Sequence, residues 1–231
     1  MSGQVIAITG GFGVLGRAVA SEAARRGWSV AAIDFAPNPP PELEAALGDK
    51  GMCIRGVDLT RPDDARRAID AVIERFGRLD ALVNVAGGFV WQTHADGAPE
   101  SWRRMFAINV ETAANTARAA LPHLERSAAG RIVNIGAASA INAGAGMGAY
   151  AAAKAGVHKL TESLAQELKG KVTVNAVLPS ILDTPVNRAD MPDADFGKWV
   201  QPKDLAAVIL FLASPEAGAI TGALIPVTGG M

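Results

Sequence analysis

The chain has 231 residues, 49% of them hydrophobic, and a formal net charge of −1, enough for one large globular domain. Lysines and arginines scattered among aspartates and glutamates offer no patch for nucleic acid or an anionic membrane. The single cysteine, Cys53, excludes an internal disulfide framework and a cysteine-based metal cluster; in Met52-Cys53-Ile54 it reads as a small core side chain. No apolar segment approaches the roughly 18 residues of a membrane span. The first strand begins within a few residues of Met1, leaving no room for a signal peptide, so a soluble cytoplasmic protein is expected.

Gln4 to Thr9 is a short apolar run ending in Gly10-Gly11-Phe12-Gly13-Val14-Leu15-Gly16. A helical pattern follows to Arg26, and after Gly27 a buried strand covers Trp28 to Ile33. Strand, glycine turn, helix and strand open a βαβ unit. Pro37 to Pro41 is a rigid turn, Glu42 to Leu47 a short helix, and Met52 to Val57 a third strand running into Asp58-Leu59. Pro62 to Phe76 is an amphipathic helix, with Ala65, Ile69, Val72, Ile73 and Phe76 at helical spacing. Ala81 to Val85 is a fourth strand leading to Ala86-Gly87-Gly88. Then come a helix over Pro99 to Leu124, a strand over Arg131 to Ile135, a helix over Tyr150 to Leu168 and a strand over Val172 to Val177. A helix over Lys203 to Leu212 and a short strand over Leu224 to Val227 close the chain. The alternation predicts one α/β domain over residues 1–231: a single Rossmann-type, doubly wound parallel sheet of about seven strands with helices on both faces.

Ligands of such sheets bind beyond the carboxyl ends of the strands. Those ends carry Gly10 to Gly16, Asp34, Asp58, Asn84 to Gly88, Gly136 to Gly148 and Pro179 to Thr184. The glycines let the backbone approach a pyrophosphate, and the helix start behind them offers unpaired N–H groups. Asp34, eighteen residues past Gly16, can accept both hydroxyls of a ribose and would repel a 2′-phosphate. NAD(H) is therefore expected over NADP(H), with Arg17 beside the turn as the base that keeps NADP(H) possible. Tyr150, the only tyrosine, stands four residues before Lys154, on one helical face. An ammonium near a phenol favours the phenolate and is expected to lower the Tyr150 pKa from about 10.

The chain resembles the short-chain dehydrogenase/reductase family over essentially its whole length. The residues that carry the resemblance are Thr9-Gly10 with Gly16, Asp34, Asp58-Leu59, Asn84-Val85-Ala86-Gly87, Asn109 in Ile108-Asn109-Val110, Asn134, Tyr150 with Lys154, and Asn175 with Pro179. The resemblance implies a Rossmann-type oxidoreductase that moves a hydride between a nicotinamide and a carbonyl or alcohol. It makes Tyr150 the general acid/base and Lys154 the group that binds the nicotinamide ribose and lowers the Tyr150 pKa. It gives Asn109 a water of the proton relay. The cofactor set it implies is Gly10, Phe12, Gly13, Leu15, Gly16, Asp34, Asp58, Leu59, Asn84, Ala86, Gly87, Tyr150, Lys154, Pro179, Leu182 and Thr184. In that set Asp58 meets the adenine, Asn84 to Gly87 flank the adenosine ribose and the nicotinamide side, and Thr184 grips the carboxamide or the phosphates. The family's members are usually dimers or tetramers, and a homodimer or homotetramer is expected.

Two positions depart from the pattern. Val14 stands where the family's second glycine falls, with Gly13 just before it. Ala137 stands thirteen residues before Tyr150, where the family has the serine that polarises the substrate carbonyl; Ser139 lies two residues on. The missing serine, together with Val85-Ala86-Gly87-Gly88 and the stretch Leu182-Asp183-Thr184-Pro185-Val186-Asn187-Arg188, is similar to dihydropteridine reductases. Those use NADH on a quinonoid dihydropterin, a ring that takes hydride without a dedicated carbonyl donor. Phe89, Trp91, Met191, Phe196 and Trp199 are candidate walls of a flat apolar substrate pocket, beside Ala137 and Ser139. The stretch from Ser180 to Val200 is a candidate lid. His94 lies on a loop within reach of that pocket, His123 and His158 read as structural, and no metal is expected. The competing reading is an NAD(H)-binding sensor or scaffold that lost catalysis with its serine; retention of Tyr150, Lys154 and Asn109 speaks against it.

Overall fold

A computed structural model describes residues 3–230. The opening unit is β1 (Val5–Thr9), α1 (Val14–Arg25) and β2 (Ser29–Ile33). It continues through α2 (Pro41–Leu47), β3 (Gly51–Ile54), α3 (Pro62–Phe76) and β4 (Ala81–Asn84). The second half runs α4 (Glu100–Phe106), α5 (Thr112–Leu124), β5 (Gly130–Ile135), α6 (Gly148–Glu167), β6 (Val172–Pro179), α7 (Pro185–Asp190), α8 (Pro202–Leu212) and β7 (Leu224–Val227). All seven strands form one parallel sheet in the order β3-β2-β1-β4-β5-β6-β7.

The strands are buried on both faces. Ile6 and Ile8 of β1 face Val19, Ala20, Ile209 and Leu210 of α1 and α8. Ala7 and Ile33 face the other way, towards Ile69 and Val72 of α3, Ala117 of α5 and Leu164 of α6. This is why each strand reads as a continuous apolar run. The sheet grows outward from β1 in both directions, so the connections leaving β1 and β4 diverge and leave a crevice between their carboxyl ends.

The third strand stops at Ile54, three residues short of the expected end, because the chain turns at Gly56 with φ +67°. The expected long helix from Pro99 is interrupted by a π turn over Ala107–Glu111. Its cause is local. The Thr112 N–H reaches back five residues to the Ala107 carbonyl, while the Thr112 hydroxyl takes the Ile108 carbonyl at 2.9 Å. Asn109 Nδ2 donates to the Met105 carbonyl at 2.9 Å. Such turns are frequent at functional sites, and this one carries Asn109. α6 begins at Gly148, so Tyr150 lies inside its first turn rather than opening it.

Candidate active site

The glycine turn is shaped by close approach. Gly10 takes φ +63° to leave β1, and a Cβ on Gly16 would lie 2.1 Å from the Gly10 carbonyl oxygen. Val14, which replaces a glycine of the family pattern, is the first residue of α1, with Gly13 as its N-cap in extended backbone. The first-turn N–H groups of Val14, Leu15 and Gly16 have no partner within the helix and lie on the cleft wall. Free backbone donors at a helix start are the kind of site that suits a diphosphate.

The cleft is about 830 Å³. Gly10, Phe12, Gly13, Leu15, Gly16, Asp34, Asp58, Leu59, Ala86 and Gly87 all line it. Asp34 ties the turn to β2. Its Oδ2 accepts the Phe12 N–H and its Oδ1 the Ala36 N–H, both at 2.9 Å. Each oxygen keeps a free lone pair, which fits the two hydroxyls of a ribose. Asp58 is held by Thr60, whose N–H and hydroxyl both donate to Oδ1. Arg17 is engaged elsewhere: its guanidinium pairs with Glu42 of α2 at 2.6 Å, outside the cleft lining.

Asn84 departs from expectation. It is buried, and its side chain points back into the molecule instead of lining the cleft. There it belongs to a chain of directional bonds. The Thr116 hydroxyl donates to Asn84 Oδ1, Asn84 Nδ2 donates to Asn134 Oδ1, and Asn134 Nδ2 donates to Thr161 Oγ1 on α6. The wall residues that escaped the sequence reading include Phe35, Ala36, Thr60, Arg104, Ile108 and Thr112. The last three stand four residues apart, a helical stripe visible in the sequence. Which way it faces depends on how α4 and α5 dock.

Tyr150 and Lys154 lie beyond Gly87. Lys154 is buried, and its Nζ donates to the Ile135 carbonyl at 2.8 Å. That ammonium sits 5.8 Å from the centre of the Tyr150 ring, and a Cβ on Gly87 would lie 3.6 Å from it. Burial pushes the Lys154 pKa down to about 8. Burial also pushes Tyr150 up to about 12, which corrects the expectation of a phenol drawn below its ordinary value. The low-dielectric setting opposes ionisation more strongly than an ammonium at this distance assists it. The Tyr150 hydroxyl has no hydrogen-bond partner among the described residues, and it is absent from the fully buried unpaired atoms, so it reaches solvent. Phe89 packs edge-on against the Tyr150 ring, with centroids 4.9 Å apart.

Asn109 is buried, and both of its Nδ2 protons are employed. Nδ2 donates to the carbonyls of Gly88 and Met105, and Oδ1 accepts the Gly88 N–H at 3.3 Å. It clamps the end of the loop after β4, with one lone pair of Oδ1 left over. Ala137 is buried, and Ser139 is half-buried in a short 3₁₀ turn with no hydrogen-bond partner for its hydroxyl among the described residues.

The aromatic walls divide. Trp91 donates Nε1–H to the Ala145 carbonyl, and the Gln92 N–H bonds the Gly146 carbonyl, so the two loops beside Tyr150 are strapped together. His94 lines a smaller cavity of about 240 Å³ together with the strap residues Gln92 and Gly146 and with Trp102 and Gly148. Trp199 is not an open wall. It is 5% exposed and packs on Phe196, which in turn lies under the Arg188 guanidinium. The candidate lid is tied together by its own side chains. Asp183 accepts a bidentate pair from Arg188 and a bond from Gln201, and these bonds hold its carboxyl down at about 2. The Thr184 hydroxyl accepts the Asn187 N–H as the N-cap of α7 and keeps its own proton to donate. Met191 ends α7, half-buried. Pro179 and Leu182 flank the start of this segment, Leu182 bridging to Val200.

Fold and site together define a Rossmann-type oxidoreductase, in which a glycine turn and the strand-end acid Asp34 share a cleft edge with a tyrosine–lysine pair. Residues 4–195 match the family described as short chain dehydrogenase, and the chain belongs to that family. It is 31% identical over 240 residues to the 3-oxoacyl-(acyl-carrier-protein) reductase FabG of Vibrio cholerae, covering 100% of this chain and 98% of that one. It is 35% identical over 243 residues to the 2,5-dichloro-2,5-cyclohexadiene-1,4-diol dehydrogenase LinX of Sphingobium indicum, covering 100% and 96%. Among solved structures, the 3-ketoacyl-(acyl-carrier-protein) reductase of Brucella melitensis complexed with NADH superposes with a TM-score of 0.89 at 29% identity, covering 99% and 98%.

Proposed function

We propose that the protein is an NAD(H)-preferring oxidoreductase of a small, planar, electron-poor substrate, with quinonoid dihydropterins as the model class. The observation that carries this reading is the pairing of a partner-free Tyr150 hydroxyl with an alanine, Ala137, where a carbonyl donor belongs. The bound dinucleotide supplies or accepts the hydride. Tyr150 delivers the proton to the substrate heteroatom in the reductive direction, and Lys154 stabilises the phenolate left behind. Asn109 fixes the Gly88 backbone beside this pair. Asp34, with a free lone pair on each oxygen, supports NADH over NADPH, and the NADH complex of the Brucella relative is consistent with that preference.

The exposed Trp102 and Phe106, four residues apart on α4, support a homodimer or homotetramer built through the α4–α6 face. Following NADH absorbance with quinonoid dihydropterin, quinones, imines and simple ketones tests the reading. Consumption with the conjugated acceptors, lost in Tyr150→Phe while NADH still binds, is the expected result. No consumption with any of them favours a non-catalytic NAD(H)-binding protein. Full activity in Tyr150→Phe removes the role given to that residue.

A further inference from the structure

α6 grips the end of β5 through three side chains on one face. Lys154 Nζ donates to the Ile135 carbonyl at 2.8 Å, Thr161 Oγ1 accepts from Asn134 Nδ2 at 2.9 Å, and His158 Nε2 lies 3.3 Å from the Ala137 amide nitrogen. An amide N–H can only donate, so Nε2 is the acceptor and the ring is neutral, with its proton on Nδ1. His158 is 5% exposed and closely fitted: a Cβ on Gly136 would fall 2.5 Å from Nε2 and 3.1 Å from Leu178 Cδ1. The glycine is therefore matched to the histidine that packs against it.

We propose that His158 is a positioning residue: its Nε2 fixes the Ala137 backbone in register with Tyr150, two turns earlier on the same helical face. This rests on the reading of Tyr150 and Lys154 as the proton-transfer pair. At the position where the family's serine would reach the substrate, this chain holds the backbone from behind and leaves no donor in front. A protonated ring would set N–H against N–H and release the contact. The charged groups that act on His158 are Lys154, Lys159 and Glu162, all on α6. β5 and β6 meet it with the Gly136–Ala137 backbone and Leu178. Burial first, and then the Lys154 ammonium, hold its pKa below the ordinary histidine value.

His158→Leu and His158→Gln, assayed with NADH and the acceptor turned over best, test the proposal. His158→Leu is expected to lose kcat about tenfold, in line with one buried hydrogen bond, with the NADH Kd unchanged. His158→Gln, whose Oε1 can accept the same N–H, is expected to recover most of that loss. The wild type is expected to lose kcat as pH falls through the lowered His158 pKa, and the Gln variant to lack this acid limb. Equal kcat in all three proteins, or an identical acid limb in wild type and His158→Gln, overturns the proposal. If His158→Leu does not fold, the comparison of wild type with His158→Gln decides. NMR of the alanine-labelled wild type separates this proposal from the functional reading, since it needs no substrate. The Ala137 amide should titrate together with the His158 ring, and independence of the two overturns the proposal even where turnover is found.

Discussion

Replacing Lys154 by methionine is expected to make the protein more stable while removing its activity. Lowering a lysine pKa from 10.5 to about 8 costs the charged form about 3 kcal/mol in the folded state, at about 1.4 kcal/mol per pH unit. Methionine fills a similar volume without that cost, but it leaves the Ile135 carbonyl without its donor, a loss of about 1–3 kcal/mol. At neutral pH the net is a gain of about 1 kcal/mol. The sign of the pH dependence is sharper than the size. Between pH 8 and 10.5 the unfolded chain holds the Lys154 proton that the folded protein has released, so wild-type stability rises with pH over that window. The variant lacks this term, and its advantage should shrink by about 2.5 kcal/mol between about pH 7 and about pH 10. Cys53 and Tyr150, whose pKa values burial raises, act in the opposite direction. Both are present in the two proteins and cancel in the difference. Urea unfolding of both proteins at fixed concentration measures it. Stability curves that run parallel from pH 7 to 10 would refute the buried-ammonium argument.

Three further outcomes follow from the site. Asp34→Ala removes the carboxylate proposed to bind the ribose and frees the Phe12 and Ala36 N–H groups. The kcat/KM ratio of NADH to NADPH should fall at least tenfold, and an unchanged ratio rejects the assigned role. Ala137→Ser restores a donor beside the substrate and should raise reduction of simple ketones about tenfold, the worth of one good hydrogen bond, with little effect on conjugated acceptors. A uniform change across both substrate classes counts against the polarisation argument. Asp183→Asn breaks the bidentate pair to Arg188. Hydrogen exchange of the α7 amides, residues 185–190, should quicken, whereas unaltered protection shows that the latch lies elsewhere.

The glycine turn, Asp34, the strand–helix alternation and the Tyr150–Lys154 pair were legible in the sequence because each depends on local spacing. What was not legible depends on docking or burial. Asn84 sits at a strand end, where a ligand contact is natural, yet the register that sets Asn84 opposite Asn134 turns both side chains into a buried network. Trp199 looked like a pocket wall, but it is buried against Phe196, over which the Arg188 guanidinium lies. The direction of the Tyr150 pKa was misread because proximity to Lys154 shows in the spacing and desolvation does not. Arg104, Ile108 and Thr112 carried the right periodicity, but nothing local says that their face meets the cleft. His158 read as structural, and only the structure shows that the group it holds is the backbone of Ala137.

The π turn has a consequence for how this chain tolerates change. The turn closes its hydrogen bond over five residues, Thr112 N–H to the Ala107 carbonyl, where a regular α-helix closes over four. The helix pair therefore carries one residue more than an unbroken α-helix would over the same turn. Deleting a residue within a regular helix swings everything beyond it by about 100°. Here the loss of Ala107 would instead regularise the helix and leave both buried faces where they are. The Asn109 clamp on Gly88 would go with the wide turn, so the fold would outlive the deletion and the site would not.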